Sequence, residues 1–386
     1  MGIFSVAEMK ARAGRLQAEL AAARVDVAVL HTSDNCFYVS SFPLLSGWGR
    51  PAITALAADG DATLVLAAIE RENADRYSWI RDVRAYADEE NVWARAISLV
   101  ADFVRAKGGP RGRIGVELDY LSRGVEALFR RSLPDGELVD ISAVLARLRI
   151  IKSDEEQRLL KLGGEVAKVG ARAFLDALTV DATELEVASQ AVLAMNRELA
   201  RWDPGAASSS YAYCQTDMNS LTPHLHPTGR RIQRGEVIAL NVFPVIWGYC
   251  MELERTFVLG EPTPLQRCAL DAVNAAFDMA KAAVKPGAAF SELDQLTRRY
   301  LTEQGYEASI RHGTGHAHGI MIGAAGREEL GEIRVYNNGR FAAGMVNSVE
   351  PGIYLPGVGG FRHSDVVLVT ETGTELLTEF PRDIVV

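Results

Sequence analysis

Side chains able to move protons or hold a cation crowd into a few short segments of this 386-residue chain. Six of its seven histidines lie in the second half: His224 and His226 in "PHLHPTGR", His312, His316 and His318 in "RHGTGHAHG", and His363 in "GFRHSD". One isolated histidine is usually structural. Several gathered on Gly- and Pro-rich segments point to a site, because loops held by a rigid scaffold are where sites form. Imidazole is also the side chain best placed to act as acid or base near neutral pH. The carboxylates sit close by in sequence. "GYCMELERTF" sets Glu252 and Glu254 two apart, which on a strand puts both on one face. Two neighbouring carboxylates repel, so something positive belongs between them: a metal ion, a histidinium or a cationic substrate. Glu350 is the lone acid of the apolar run "NSVEPGIYL", and a buried lone carboxylate is costly unless paired.

The elements that must carry these residues follow from periodicity. Ser5 and Glu8 have capping-box spacing ahead of a helix to about Arg24. Short apolar runs at 25–30, 62–67, 113–117 and 137–140 read as buried strands, with helical patterns near 91–107 and 121–132. Strands alternating with helices predict an α/β domain over residues 1–148. Ser153 and Glu156 form a second capping-box pattern, and a new domain is expected over 153–386. Its long helices (about 153–178, 183–201, 264–284 and 291–304) and β-rich blocks at 207–258 and 308–379 predict an α+β domain. A curved antiparallel sheet covered by helices is the expected form.

Composition excludes several classes. The net charge is −9 with no basic stripe, which argues against a nucleic-acid partner. No apolar run reaches the roughly 20 residues of a membrane helix, and the N-terminus has no signal-peptide pattern. No membrane role is expected, and cytoplasmic is the default. Cys36, Cys214, Cys250 and Cys268 have no CxxC spacing and read as reduced and mostly buried.

The segments "IKSDEE", "LNVFPVIWGYCMELERTF", "HGTGHAHG" and "MVNSVEPGIYLPGVGGFRHSDVVLVTE", in this order, resemble the pita-bread superfamily of aminopeptidase P, prolidase, methionine aminopeptidase and creatinase. The resemblance implies a creatinase-like N-terminal α/β domain and a C-terminal pita-bread catalytic domain. Metallopeptidases of this superfamily bind two metal ions through two Asp, one His and two Glu. Those positions correspond here to Asn241, Glu252, His316, Glu350 and Ser364. An amide and a hydroxyl thus stand where two anionic ligands belong, and two close divalent ions need several bridging anionic oxygens. The resemblance therefore implies no two-metal centre and no cofactor. One ion on Glu252, His316 and Glu350 stays open, since three ligands can make a catalytic site.

The finer resemblance is to the creatinase branch. It implies His224, Glu254, Glu350 and His316 as catalytic residues. Arg50 and Arg327 would grip a substrate carboxylate, with Trp48 beside Arg50 in "WGRP". Glu252 and Ser364 would line the end that holds a cationic group. His363, adjacent to Ser364, would face the other way. The expected activity is metal-independent hydrolysis of a C–N bond at a guanidinium or amidine carbon of a small carboxylated substrate. His224 would move the proton, and the site would be shared across a homodimer. The alternatives are a metal-dependent X-Pro dipeptidase or aminopeptidase, and an inactive binding homologue.

Overall fold

A computed structural model describes residues 3–44, 49–88, 91–108, 111–323 and 329–382. The chain divides into two compact units, Met1–Arg149 with Ile320–Arg327, and Ile150–Gly319 with Glu328–Val386.

The first unit is a six-stranded mixed sheet in the order Asp82–Tyr86, Ala62–Ala67, Ile53–Ala57, Val27–Leu30, Arg113–Val116, Glu137–Asp140. Its pleat divides the side chains between two cores. On Ala62–Ala67, Val65 and Ala67 join Ala96, Val100 and Val104 of the helix Val92–Gly108 on one face. Leu64 and Leu66 join Cys36, Phe42, Ala74 and Ile80 on the other. The strand Ile53–Ala57 escapes the sequence reading because it is buried at all five positions and shows no alternation.

Behind this sheet Glu117 is wholly buried and collects donors from the turn that follows Val27–Leu30. It accepts from the His31 N–H at 2.6 Å, the Thr32 N–H at 3.0 Å and Asn35 Nδ2 at 2.6 Å, and His31 Nδ1 lies 3.2 Å away. Burial alone would raise the Glu117 pKa, but His31 and Thr32 hold it below its ordinary 4.5. Burial would lower His31, but Glu117 raises it above 6.5. The stability from Glu117 is therefore present above pH 4.5 and lost as pH falls through the depressed value. That from His31 is complete below pH 6.5 and lost as pH rises through the elevated value. Denaturant titrations should thus show a maximum between these limits, and Glu117→Gln should flatten both flanks. Unchanged flanks in the variant would remove the pair as their cause.

The second unit carries the chemistry. Its helices start where their caps say. Ser153 and Glu156 close a capping box on Asp154–Ala177, and Thr183 and Glu186 do the same for Glu184–Trp202. Three antiparallel strands run in the order Leu253–Val258, Val237–Phe243, Tyr211–Thr216. A second sheet orders Val346–Val349, Asp365–Val369 and Thr374–Leu376. The two sheets meet at a bridge where Glu254 and Ser364 exchange backbone hydrogen bonds, each 3.1 Å. The helices Pro264–Ala283 and Phe290–Glu303 seal the core with Phe277, Phe290 and Leu293 against Val349, Val367 and Val369. The result is the pita-bread fold with its antiparallel sheets in this unit and an α/β fold in the first, as the sequence indicates.

No described helix is long and apolar enough to cross a membrane. Cys36, Cys214 and Cys250 are free and buried, while Cys268 is free and exposed.

Candidate active site

Strand geometry gathers the acids. Glu254 lies cross-strand from Asn241, so their side chains share a face. Glu252 precedes the same strand, and Glu350 follows Val346–Val349. Among the described residues, ligand atoms of Glu252, Glu254 and Glu350 lie within 4.8 Å of one another. All three side chains are buried.

The histidines reach this cluster on an extended segment laid against Val346–Val349. Glu350 N–H donates to Thr314 O at 2.7 Å, Ser348 N–H to His316 O at 2.8 Å, and His318 N–H to Val346 O at 2.8 Å. Gly315 permits this approach, since a Cβ there would fall 2.1 Å from the Ser348 carbonyl oxygen. His316 and His318, two apart on an extended chain, point the same way. Each Nε2 lies 3.5 Å from Glu252 Oε2, and His316 Nε2 is 3.7 Å from Glu350 Oε1. Each Nδ1 faces a backbone carbonyl: His316 that of Ala317 at 3.0 Å, His318 that of Cys250 at 3.2 Å. The Cys250 carbonyl is placed by a hairpin whose two-residue turn, Trp247 and Gly248, has positive φ at both positions. The other oxygen of Glu252 accepts from Ser364 Oγ at 2.6 Å.

Charge balance shapes the titration of this group. Burial would raise the Glu252 pKa, but His318 and His316 bring it well below the carboxylate range. Burial would lower His316, but Glu252 and Glu350 push it up to about 10. Glu254 goes the other way. Burial, joined by repulsion from Glu252 and Glu350, raises it well above the ordinary value despite a neighbouring cation.

That cation is Arg362, which the sequence reading leaves out of the site. Its Nη2 donates to Asn241 Oδ1 at 3.0 Å and to Glu254 Oε1. The positive partner demanded by paired carboxylates is thus supplied in part by the protein itself. The Asn241 amide faces Tyr213 O, Gln215 Oε1 and Ala239 O with its nitrogen, at 3.3–3.4 Å. Its oxygen is engaged by Arg362. A two-ion centre does not fit these residues: Asn241 and Ser364 bring no charge, and a guanidinium stands between Asn241 and Glu254. A single ion is a different matter, because His318 Nε2 is buried with no hydrogen-bond partner.

His224 is exposed on a loop fastened by Gln215, whose Nε2 donates to Thr222 O, Pro223 O and Leu225 O. Buried Glu184 braces the same region, accepting from Thr216, Asn219 and Thr228. Arg50 forks onto Asp88, with both bonds 2.8 Å. Trp48 and Arg327 fall outside the described residues. His363 turns away from Ser364, packs tilted against Phe277 with ring centroids 4.1 Å apart and meets Asn274 and Asp365. His318 and Arg362 were legible in part: each sits two residues from a selected position, His316 or Ser364, on extended backbone.

Residues 158–371 match the description "Metallopeptidase family M24", and residues 12–151 match "Creatinase/Prolidase N-terminal domain". The chain belongs to metallopeptidase family M24. It is 33% identical over 386 residues to a creatinase of Bacillus sp. (strain B-0618), covering 98% of this chain and 92% of that protein. It is 30% identical over 328 residues to an Xaa-Pro dipeptidase of Lactobacillus helveticus, covering 84% and 85%. The solved Xaa-Pro dipeptidase from Bacillus anthracis superposes with a TM-score of 0.83 at 25% identity, over 98% of this chain and 99% of that one.

Dipeptidases and prolidases recur through both sets of M24 relatives. That corrects the expectation of a metal-independent creatinase-like hydrolase of guanidinium or amidine carbon: the relatives are mostly peptidases. The expectation failed for a physical reason. Asn241 and Ser364 limit how many ions the cluster holds, and that says nothing about which C–N bond is cleaved. The chain is an M24 hydrolase.

Proposed function

We propose that this M24 hydrolase is a dipeptidase, opening the amide C–N bond of small peptides of the Xaa-Pro type. The observation that carries the reading is the pairing of buried Glu252 and Glu350 with half-buried His316, whose Nε2 lies 3.7 Å from Glu350 Oε1. The recurrence of Xaa-Pro dipeptidases among the relatives supports it.

Amide hydrolysis needs a water deprotonated, a carbonyl oxygen stabilised and a proton returned to the leaving nitrogen. Glu350 takes the proton of the attacking water and later gives it up. His316, held by the Ala317 carbonyl and flanked by Glu252 and Glu350, fixes where that water sits. Arg362 keeps Glu254 in place and offsets the negative charge gathered around the reacting carbonyl. His224, on its Gln215-tied loop, meets the leaving nitrogen from the solvent side. A divalent ion held by Glu252 and the two imidazoles would polarise the carbonyl when bound. Arg50 stays on the surface of its unit with a side chain 36% exposed. Its service to a site in a second copy of the chain, and hence a homodimer, is part of the same proposal.

The dipeptidase reading favours short substrates. Steady-state assays should rank Xaa-Pro dipeptides above Xaa-Pro-Xaa tripeptides in kcat/KM by about tenfold or more, the effect of roughly 1.4 kcal/mol. Equal rates on both lengths would contradict the dipeptidase assignment.

A further inference from the structure

We propose that Glu252 Oε2, His316 Nε2 and His318 Nε2 form a site for one divalent ion of the zinc class, with Arg362 standing in for any second cation. The inference rests on the dipeptidase reading for its purpose, but the observations behind it are independent of the reaction.

The first observation is tautomeric. Both Nδ1 atoms face backbone carbonyls, at 3.0 and 3.2 Å. With Nδ1–H donating to those oxygens, Nε2 is the atom left to face an ion, which binds as the ring gives up its Nε2 proton, the arrangement that orients metal-bound imidazoles. The second is distance. Both Nε2 atoms lie 3.5 Å from the same carboxylate oxygen. That is too long for a charge-assisted hydrogen bond, which runs about 2.7–2.9 Å. It is close to the roughly 3.4 Å that separates two ligands about 2.1 Å from one tetrahedral ion. The third is an orphan. His318 is 1% exposed, and its Nε2 has no hydrogen-bond partner, a costly arrangement for a buried polar atom with nothing to bind.

The remaining oxygen of Glu252 is held by Ser364 at 2.6 Å, so the ligand is oriented from behind. Ser364 thus supports a ligand where the family resemblance places a ligand itself. Two imidazoles and one carboxylate suit zinc or cobalt better than calcium or magnesium, which take six or more oxygens. Arg362 closes the other half of the cluster by engaging Asn241 and Glu254.

The test uses the full chain, freed of metal by chelator dialysis and titrated with Zn²⁺ alone by calorimetry, with elemental analysis after gel filtration. About one zinc per chain is expected. His318→Leu should weaken binding by about 100-fold or more, beyond the 10–100-fold typical of losing an outer-shell partner. Circular dichroism reports whether that variant folds, and His318→Gln replaces it if not. With Co²⁺ as probe, the wild type should show the intense visible bands of a four-coordinate site, and the variant should lose them. Two equivalents, no binding, or unchanged affinity in a folded His318 variant would overturn the site. Dipeptide turnover is scored separately. One bound zinc without turnover sinks the reaction and leaves the site standing, whereas full turnover by protein shown to carry no ion overturns the site as a working part.

Discussion

Arg362→Met should destabilise the protein by about 3–5 kcal/mol, the usual cost of removing one partner from a buried ion pair. The side chains of Arg362 and Glu254 are 11% and 2% exposed, so water screens little of the interaction. Arg362 also donates to Asn241, and Glu254 Oε2 already lacks a partner. Without the guanidinium, Glu254 is left as a buried acid beside Glu252 and Glu350. It relieves that by staying protonated, which keeps the cost within the stated range. For a unit of this size the loss corresponds to a fall in Tm on the order of 10 °C. The double variant Arg362→Met with Glu254→Gln should recover more than half of it, because the stranded acid is gone. A single variant as stable as the wild type, or a double variant in which the two losses add, would mean the pair is not what neutralises the cluster.

Glu350→Gln should cost kcat roughly 10²–10⁴-fold, the usual contribution of a positioned proton carrier. KM should change little, since the amide keeps the shape and most of the contacts of the acid. Stability should hold or rise, because one of three crowded carboxylates has lost its charge. That contrast separates catalysis from scaffolding: Arg362→Met loses stability first, whereas Glu350→Gln loses turnover in a sound fold. A Glu350→Gln enzyme keeping more than about a tenth of kcat would contradict the proton-carrying role.

Local physics made much of this molecule readable in advance. Capping residues mark the start of the helix Asp154–Ala177, and apolar periodicity marks its length. The spacing of Glu252 and Glu254 puts both acids in one cluster, and the apolar setting of Glu350 predicts that it needs company. What stayed hidden depends on distant pairing. Arg362 meets Glu254 across 108 residues of sequence, and Glu252 meets Ser364 across 112. No local pattern announces that Asn241 and Glu254 are cross-strand neighbours, or that Arg362 will engage both. Arg50 shows the converse. Its motif suggests a carboxylate-binding arginine, and the carboxylate it finds in its own unit is Asp88.

The reaction itself is tested most directly by offering the purified enzyme alanyl-proline and creatine side by side, with products followed by mass spectrometry. Free alanine and proline should appear from the dipeptide, and Glu350→Gln should abolish their release. Turnover confined to the guanidino acid, with alanyl-proline left intact, would contradict the assignment of this site to peptide bonds.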